Sequence, residues 1–118
     1  MWRPPGWNLF WNVLNWLRKK DRSEEGTYPF VDIHSHLLPG LDDGVQTFEE
    51  AGEIISRFQK LGYKKLITTP HVMSDFFRNS NETILNKLDE LRGWLLTQQI
   101  DIELNAAAEY YLDEELVK

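Results

Sequence analysis

The chain reads FVDIHSH at residues 30–36 and continues into LLPGLDDG at residues 37–44. Residues 30–33 have the apolar character of a short strand, and side chains two residues apart in an extended segment point the same way. His34 and His36 are therefore expected to reach one ion, and Asp43 returns towards them on a turn. This stretch predicts half of a metal site at the end of a strand.

Two later segments repeat this arrangement. An apolar run at residues 65–68 is followed by His71, and another at residues 102–107 is followed by Glu109. His34, His71 and Glu109 are spaced 37 and 38 residues apart. This spacing indicates a recurring strand–helix unit in which each candidate ligand comes after one strand.

Apolar residues at three- and four-residue spacing predict two amphipathic helices between the strands. The first has a capping-box pattern at Thr47 and Glu50, and Gly62 stands where a left-handed residue would end the helix. The second is expected to begin near residues 79–81, where Asn and Ser offer N-caps. A third helix is expected to start within residues 112–116. The predicted apolar faces comprise Ala51, Ile54, Ile55, Phe58 and Leu61 in the first helix, and Ile84, Leu85, Leu88, Leu91 and Leu95 in the second.

Strands that alternate with helices of this length favour parallel pairing with right-handed crossovers, which puts the carboxyl ends of all three strands along one rim. In barrels and in open α/β sheets this rim carries the catalytic groups. The candidate ligands are therefore expected to converge. A charged group at such a rim costs free energy unless it is paired or coordinated, which favours a metal site over simple packing.

Four motifs in this order carry a family resemblance: residues 32–36, 39–44, 69–71 and 108–111. Together they resemble the N-terminal part of the bacterial PHP-family tyrosine-protein phosphatases of capsule and exopolysaccharide systems. The resemblance extends over roughly residues 28–118.

The resemblance implies a distorted (β/α)₇ barrel with a multinuclear centre, usually of manganese, that hydrolyses phosphotyrosine on a tyrosine kinase of polysaccharide export. Family members carry further ligands, a later His and an Asp-x-His pair, with phosphate-binding arginines in a C-terminal half. A closed barrel needs about 250 residues, so we expect residues 27–118 to form an incomplete α/β barrel of three βα units. When the motifs are matched one by one to those of the family, the resemblance implies five metal ligands in this chain: His34, His36, Asp43, His71 and Glu109.

The ligand types suit Mn²⁺, Fe²⁺ or Zn²⁺, because imidazole and carboxylate are present without sulfur. Two or more ions would offset phosphate charge and lower the pKa of water, which makes water the nucleophile. Asp42 either orients a ligand or caps the local turn. Arg78 either binds the phosphate or is a solvated loop residue. Tyr110 and Tyr111 either line the cleft or pack at a strand end.

Composition limits the remaining classes. The chain has 118 residues, 42% of them hydrophobic and 27% charged, which is ordinary for a globular protein. It has no cysteine, so a cysteine-dependent phosphatase mechanism is excluded. The net charge of −6 argues against nucleic acid as a partner. We expect a cytoplasmic enzyme domain.

Residues 1–26 differ from the rest of the chain. They contain four of the five tryptophans and end their apolar pattern in Arg18-Lys19-Lys20, which predicts an amphipathic helix followed by a linker. Such a helix is too short to span a bilayer, which requires ~20 residues. Two interpretations remain: residues 1–20 make peripheral contact with the inner face of the membrane, or the helix packs on protein.

Three functional hypotheses follow. The first is a truncated metal-dependent phosphotyrosine phosphatase. The second is another PHP or amidohydrolase-type hydrolase, such as a histidinol-phosphate-like phosphatase, and substrate profiling separates these two. The third is a non-catalytic interaction module recruited by the Trp-rich helix. Binding of that helix to liposomes would test this hypothesis.

Overall fold

The computed structural model describes residues 30–116 and residue 118. The amphipathic helix expected within residues 1–26 lies outside the described residues, so the domain boundary there stays a prediction. In chain order the elements are β1 (Phe30–Asp32), α1 (Phe48–Lys60), β2 (Tyr63–Thr68), β3 (His71–Val72), α2 (Asn81–Thr97), β4 (Glu103–Ala106) and β5 (Glu109–Tyr110).

The main sheet has the strand order β1-β2-β4, and both pairs are parallel. This confirms the predicted α/β alternation with parallel strands. The strand bounds differ by one or two residues from those expected, because β1 ends at Asp32 and β2 begins at Tyr63. The carboxyl ends of the three strands share one edge of the sheet.

Both helices contribute to one core with the sheet. Leu66 and Leu104 are register partners on β2 and β4, and both are buried. The predicted helical faces are partly wrong, since Ile54, Leu61 and Leu85 are exposed. The stripe that each helix buries is therefore narrower than its apolar pattern, and residues at the margin of that pattern face solvent. The buried apolar residues are Leu37, Leu38, Val45, Ala51, Ile55, Leu66, Ile84, Leu88, Leu91, Leu95 and Leu104.

The helix ends largely follow the sequence signals. Thr47 caps α1 by accepting a hydrogen bond from the N–H of Glu50. The carboxylate of Glu50 accepts from the N–H of Gln46, one residue before the cap, so only half of the predicted capping box forms. Gly62 has the expected left-handed backbone, with φ of 95°. At α2 the cap is Ser80, in a reciprocal box with Thr83.

A second, two-stranded parallel sheet continues the first one past Pro70. Strands β3 and β5 pair in parallel, with His71 opposite Glu109. Pro70 has no N–H, but its carbonyl accepts from the N–H of Glu109 at 2.9 Å, which carries the ladder onward. Two candidate ligands therefore lie opposite each other at the start of short strands.

The expected third helix is absent from the described residues near the end of the chain. Residues 114–116 form a turn, and the Asp113 carboxylate accepts from the N–H groups of Glu115 and Leu116. Asp113 also accepts from the N–H of Ser74, which ties this turn to the loop after β3. Within residues 30–116 and 118, neither helix has the length and apolar character needed to cross a membrane.

Candidate metal centre

The two histidines after β1 are held in place by the end of β2. The buried hydroxyl of Thr68 accepts from the N–H of Leu37 and donates to the carbonyl of Ser35, both at 2.9 Å. The N–H of Thr69 also donates to the Ser35 carbonyl. The backbone on both sides of His36 is therefore fixed by contacts with residues more than 30 positions away.

Glu109 brings one carboxylate oxygen to the middle of three imidazoles. Its Oε2 lies 3.3 Å from His36 Nε2, 3.3 Å from His71 Nδ1 and 3.6 Å from His34 Nε2. This oxygen is buried and has no hydrogen-bond partner. The structure thus brings together four of the five predicted ligands around a single atom.

Asp43, the fifth predicted ligand, reaches the cluster through His71. Its Oδ1 lies 3.5 Å from His71 Nε2, while the other ring nitrogen of His71 faces Glu109. The rings of His36 and His71 lie 4.6 Å apart between centroids, and the ring of Phe77 stacks on His71. Two donor groups result, which share His36: His34, His36 and Glu109 in one, and His36, Asp42, Asp43 and His71 in the other.

Asp42 performs both of the roles that the sequence left open. Its Oδ1 accepts from the N–H of Gly44 at 2.9 Å, which caps the turn, and its Oδ2 lies 2.7 Å from His36 Nδ1 and accepts from the N–H of His71 at 3.0 Å. Burial acts to raise the pKa of Asp42, but the hydrogen bond with His36 and those from the two backbone N–H groups outweigh it and lower the pKa.

This contact decides which nitrogen of His36 is available to an ion. An ionised carboxylate can only accept, so in the neutral imidazole of His36 Nδ1 carries the proton and Nε2 presents its lone pair. The Nδ1 of His34 lies 3.3 Å from the Thr69 hydroxyl, which also lies 3.3 Å from the Ser35 carbonyl. In His36, Nε2 therefore points its lone pair at the Glu109 oxygen.

The donor set fits a divalent cation. The lone pair of His36 Nε2 and the buried carboxylate oxygen of Glu109 face each other without a hydrogen bond between them, which is unfavourable unless positive charge lies between them. Histidines that bind metal ordinarily donate their other ring N–H to a carboxylate, as His36 does to Asp42. The chemistry of these residues is that of Mn²⁺, Fe²⁺ or Zn²⁺ coordination.

An open depression begins one residue beyond the ligands of β3 and β5. Its walls include Val72, Arg78, Tyr110 and Tyr111. Both tyrosines are more than half exposed, which favours the cleft-lining interpretation over packing. The Nε of Arg78 donates to the carbonyl of Ser74, and phosphate binding by Arg78 stays a prediction.

Sequence reasoning missed the residues that support the ligands. Thr68 and Thr69 were part of a predicted strand end, and Asn79 was a candidate helix cap, yet all three bond to the segments that carry the ligands. The only signal for the threonines was polarity at the end of an apolar strand.

The parallel α/β fold, with imidazole and carboxylate donors at the carboxyl edge of its sheet, defines the chain as an α/β protein with a candidate divalent-metal centre. Residues 30–118 match the family described as capsular polysaccharide synthesis, CpsB/CapC. The chain belongs to this family, which confirms the resemblance drawn from its motifs.

Two relatives and a solved structure are similar to this chain. The tyrosine-protein phosphatase YwqE of Bacillus subtilis is 27% identical over 74 residues, 63% of this chain and 29% of YwqE. The tyrosine-protein phosphatase CpsB of Streptococcus pneumoniae is 26% identical over 81 residues, 69% of this chain and 33% of CpsB. A crystal structure from a study of YwqE and CpsB as metal-dependent tyrosine phosphatases matches with a TM-score of 0.68 and 25% identity, over 75% of this chain and 36% of that one. The chain spans about a third of the length of the curated relatives it matches.

Proposed function

We propose that this chain carries the N-terminal ligands of a metal-dependent phosphotyrosine-protein phosphatase built on a PHP-type (β/α)₇ barrel. The main support is the buried Oε2 of Glu109, which has no hydrogen-bond donor and faces three imidazole nitrogens. Two relatives named as tyrosine-protein phosphatases and the metal dependence of the matched structure point to the same chemistry.

The ligands in this proposal are His34, His36, Asp43, His71 and Glu109. We expect two or more ions, with Mn²⁺ as the expected metal and Fe²⁺ or Zn²⁺ as alternatives, because the donors are imidazole and carboxylate without sulfur. When bound, such ions supply positive charge to the phosphoryl oxygens and lower the pKa of water towards about 7.

The other residues prepare the site. Asp42 keeps the proton of His36 on Nδ1, so that Nε2 stays free to coordinate. Arg78, in the wall of the depression, is proposed to hold a phosphate oxygen, and Tyr110 and Tyr111 are proposed to line the cleft. A tyrosyl leaving group has a conjugate-acid pKa of about 10, so it departs with less help from a general acid than a seryl alkoxide does.

The proposed substrate is a phosphotyrosine protein, specifically a tyrosine kinase of polysaccharide export. The family description, capsular polysaccharide synthesis, supports this substrate class. A cytoplasmic location at the inner face of the membrane would place the enzyme near such a kinase. Co-sedimentation of the full chain with anionic vesicles tests this location, and failure to sediment at low salt would contradict contact through residues 1–20.

Metal binding is the first test, because it needs no turnover. Mn²⁺ is titrated with each protein, and binding is measured as loss of the EPR signal of free Mn²⁺. The proteins are the full chain, its His36→Ala variant and, as a control at an exposed position, its Lys60→Ala variant. We expect binding by the wild type and the control and little binding by His36→Ala. Equal binding by all three proteins would remove His36 from the site.

Substrate class is tested with the same proteins. Phosphate release from a phosphotyrosyl peptide and from histidinol phosphate is compared with and without Mn²⁺. The proposal expects release from the peptide that depends on Mn²⁺ and on His36. Preference for histidinol phosphate would favour the second hypothesis instead.

A further inference from the structure

Asn79 uses both hydrogens of its side-chain amide on backbone carbonyls. Its Nδ2 donates to the carbonyl of Leu41 at 2.8 Å and to the carbonyl of His71 at 2.8 Å. Leu41 lies 38 residues earlier in the chain, just before Asp42 and Asp43. One partly buried amide thus joins the loop that carries Asp43 to the strand that begins with His71.

The backbone of His71 is consequently held on both sides. Its N–H donates to the Asp42 carboxylate at 3.0 Å, and its carbonyl accepts from Asn79. These two contacts connect the same two segments, so the loop and the strand cannot separate without breaking both. We call this pair of contacts the Asp42–Asn79 clamp.

The clamp lies where the metal site most needs support. Asp43 Oδ1 and His71 Nε2 are 3.5 Å apart, but the side chain of Asp43 is 72% exposed. Its position depends on the backbone of residues 41–43. A donor group ordered before the ion arrives binds more tightly, because the ordering cost is not taken from the binding free energy.

We infer that Asn79 is a positioning residue of the metal centre, which keeps Asp43 and His71 at the spacing that one ion requires. The inference rests on the proposed metal centre and extends it, because Asn79 touches neither the ion nor the substrate. It acts only through the carbonyls of Leu41 and His71.

The test compares three variants of the full chain: Asn79→Ala, Ser80→Ala and Asn86→Ala. Ser80→Ala removes the neighbouring N-cap of α2 and destabilises the same region without touching the clamp. Asn86→Ala is a matched asparagine substitution on the exposed face of α2. Co²⁺ affinity is measured by visible absorption, and exchange of the His71 amide hydrogen is measured by NMR without metal.

We expect Asn79→Ala to weaken Co²⁺ binding about 10- to 100-fold, the usual effect of losing a residue that orients a ligand. The His71 amide should also exchange faster in this variant. Both control variants should keep wild-type affinity. Unchanged affinity in Asn79→Ala, or an equal loss in Ser80→Ala, would overturn the clamp while leaving the metal centre in place. A wild-type chain that takes up no Co²⁺ would overturn the metal centre, and the clamp with it.

Discussion

The carboxylate of Glu109 meets opposing demands in the metal-free and metal-bound protein. Without an ion, its buried Oε2 has no hydrogen-bond partner and faces three imidazole nitrogens, of which His36 Nε2 presents a lone pair. A buried acceptor without a partner costs about 1–3 kcal/mol. With an ion, the same oxygen becomes a ligand. The arrangement therefore lowers the stability of the metal-free fold and, by the same contacts, favours metal binding.

The Glu109→Gln variant should separate these effects. In metal-free protein a glutamine amide can donate to an imidazole nitrogen, so we expect the free energy of unfolding to rise by about 1–3 kcal/mol. The stabilisation that Mn²⁺ gives to the wild type should be lost. Thermal unfolding with and without Mn²⁺ measures both, with the exposed Glu114→Gln as control. A variant that is less stable without metal and still stabilised by Mn²⁺ would contradict this account.

At the residue scale, the sequence predicted five candidate ligands, which the structure brings close together, but not the residues that support them. Ligands can be inferred because His and carboxylate residues at strand ends carry their chemistry in their type. Thr68 and Asn79 are ordinary polar residues whose roles come from partners 31 and 38 positions away. Only the tertiary fold brings these partners together.

Two glycines in different helices offer a matched test of packing. Gly52 in α1 is buried, and a Cβ there would overlap the ring of Trp94 on α2. Gly93 in α2 has nothing within 4 Å of such an atom. Gly52→Ala should lower the free energy of unfolding by about 1–3 kcal/mol, because overpacking outweighs helix propensity. Gly93→Ala should raise it by up to about 1 kcal/mol. Urea unfolding of both variants measures this, and stabilisation by Gly52→Ala would show that Trp94 moves freely.

The register of β2 and β4 is tested by a charged pair. Lys65 and Glu103 are register partners, with Nζ and Oε1 2.9 Å apart. The hydrogen bond from Lys65 is the main cause that lowers the pKa of Glu103, followed by the one from Asn105. Because the pKa of Glu103 is lower in the folded protein than in the unfolded chain, the pair stabilises the fold fully at pH values above the ordinary pKa of Glu. This stabilisation is lost as the pH falls through the pKa that Glu103 has in the folded protein.

Lys65→Met should therefore raise the pKa of Glu103 towards its ordinary value of about 4.3. Carboxyl ¹³C NMR during a pH titration measures it directly. Lys64→Met, one residue earlier and on the other face of the strand, is the control and should leave the pKa of Glu103 unchanged. If Lys64→Met raised the pKa of Glu103 and Lys65→Met did not, the register would be shifted by one residue.

At the element scale, periodicity located both helices and all three strands of the main sheet, and Thr47, Ser80 and Gly62 marked helix ends as expected. The two-residue strands β3 and β5 were not predicted, because two residues have no periodicity. They form because β2 and β4 already lie side by side, and because the Pro70 carbonyl accepts from the N–H of Glu109 and so continues the backbone hydrogen bonds between the two segments. Of the third helix, the described residues contain only a turn at residues 114–116, in which Asp113 accepts from the N–H groups of Glu115 and Leu116 as an N-cap does.

For the whole molecule, the candidate centre is open on one side. The side chains of His34 and Asp43 are 61% and 72% exposed, although Asp42 behind them is buried. The donors come from the loop after β1 and from the first residues of β3 and β5, all beyond the carboxyl edge of the main sheet, so ions held there would keep much of their contact with water. The chain also spans about a third of the length of its relatives. An enclosed site would need walls that the described residues do not supply.

We therefore expect the 118-residue chain, measured alone, to bind Mn²⁺ weakly and to turn over a phosphotyrosyl peptide slowly. Misplacement of reacting groups by about 1 Å lowers the rate about 100-fold. We expect a site that is open on one side to allow its substrate at least this much displacement. The measurement is phosphate release at saturating Mn²⁺, with CpsB of Streptococcus pneumoniae assayed in parallel. We expect a rate at least about 100-fold lower than that of CpsB, and abolished by His36→Ala. A rate equal to that of CpsB would contradict this expectation and would mean that the 118-residue chain encloses the ions by itself.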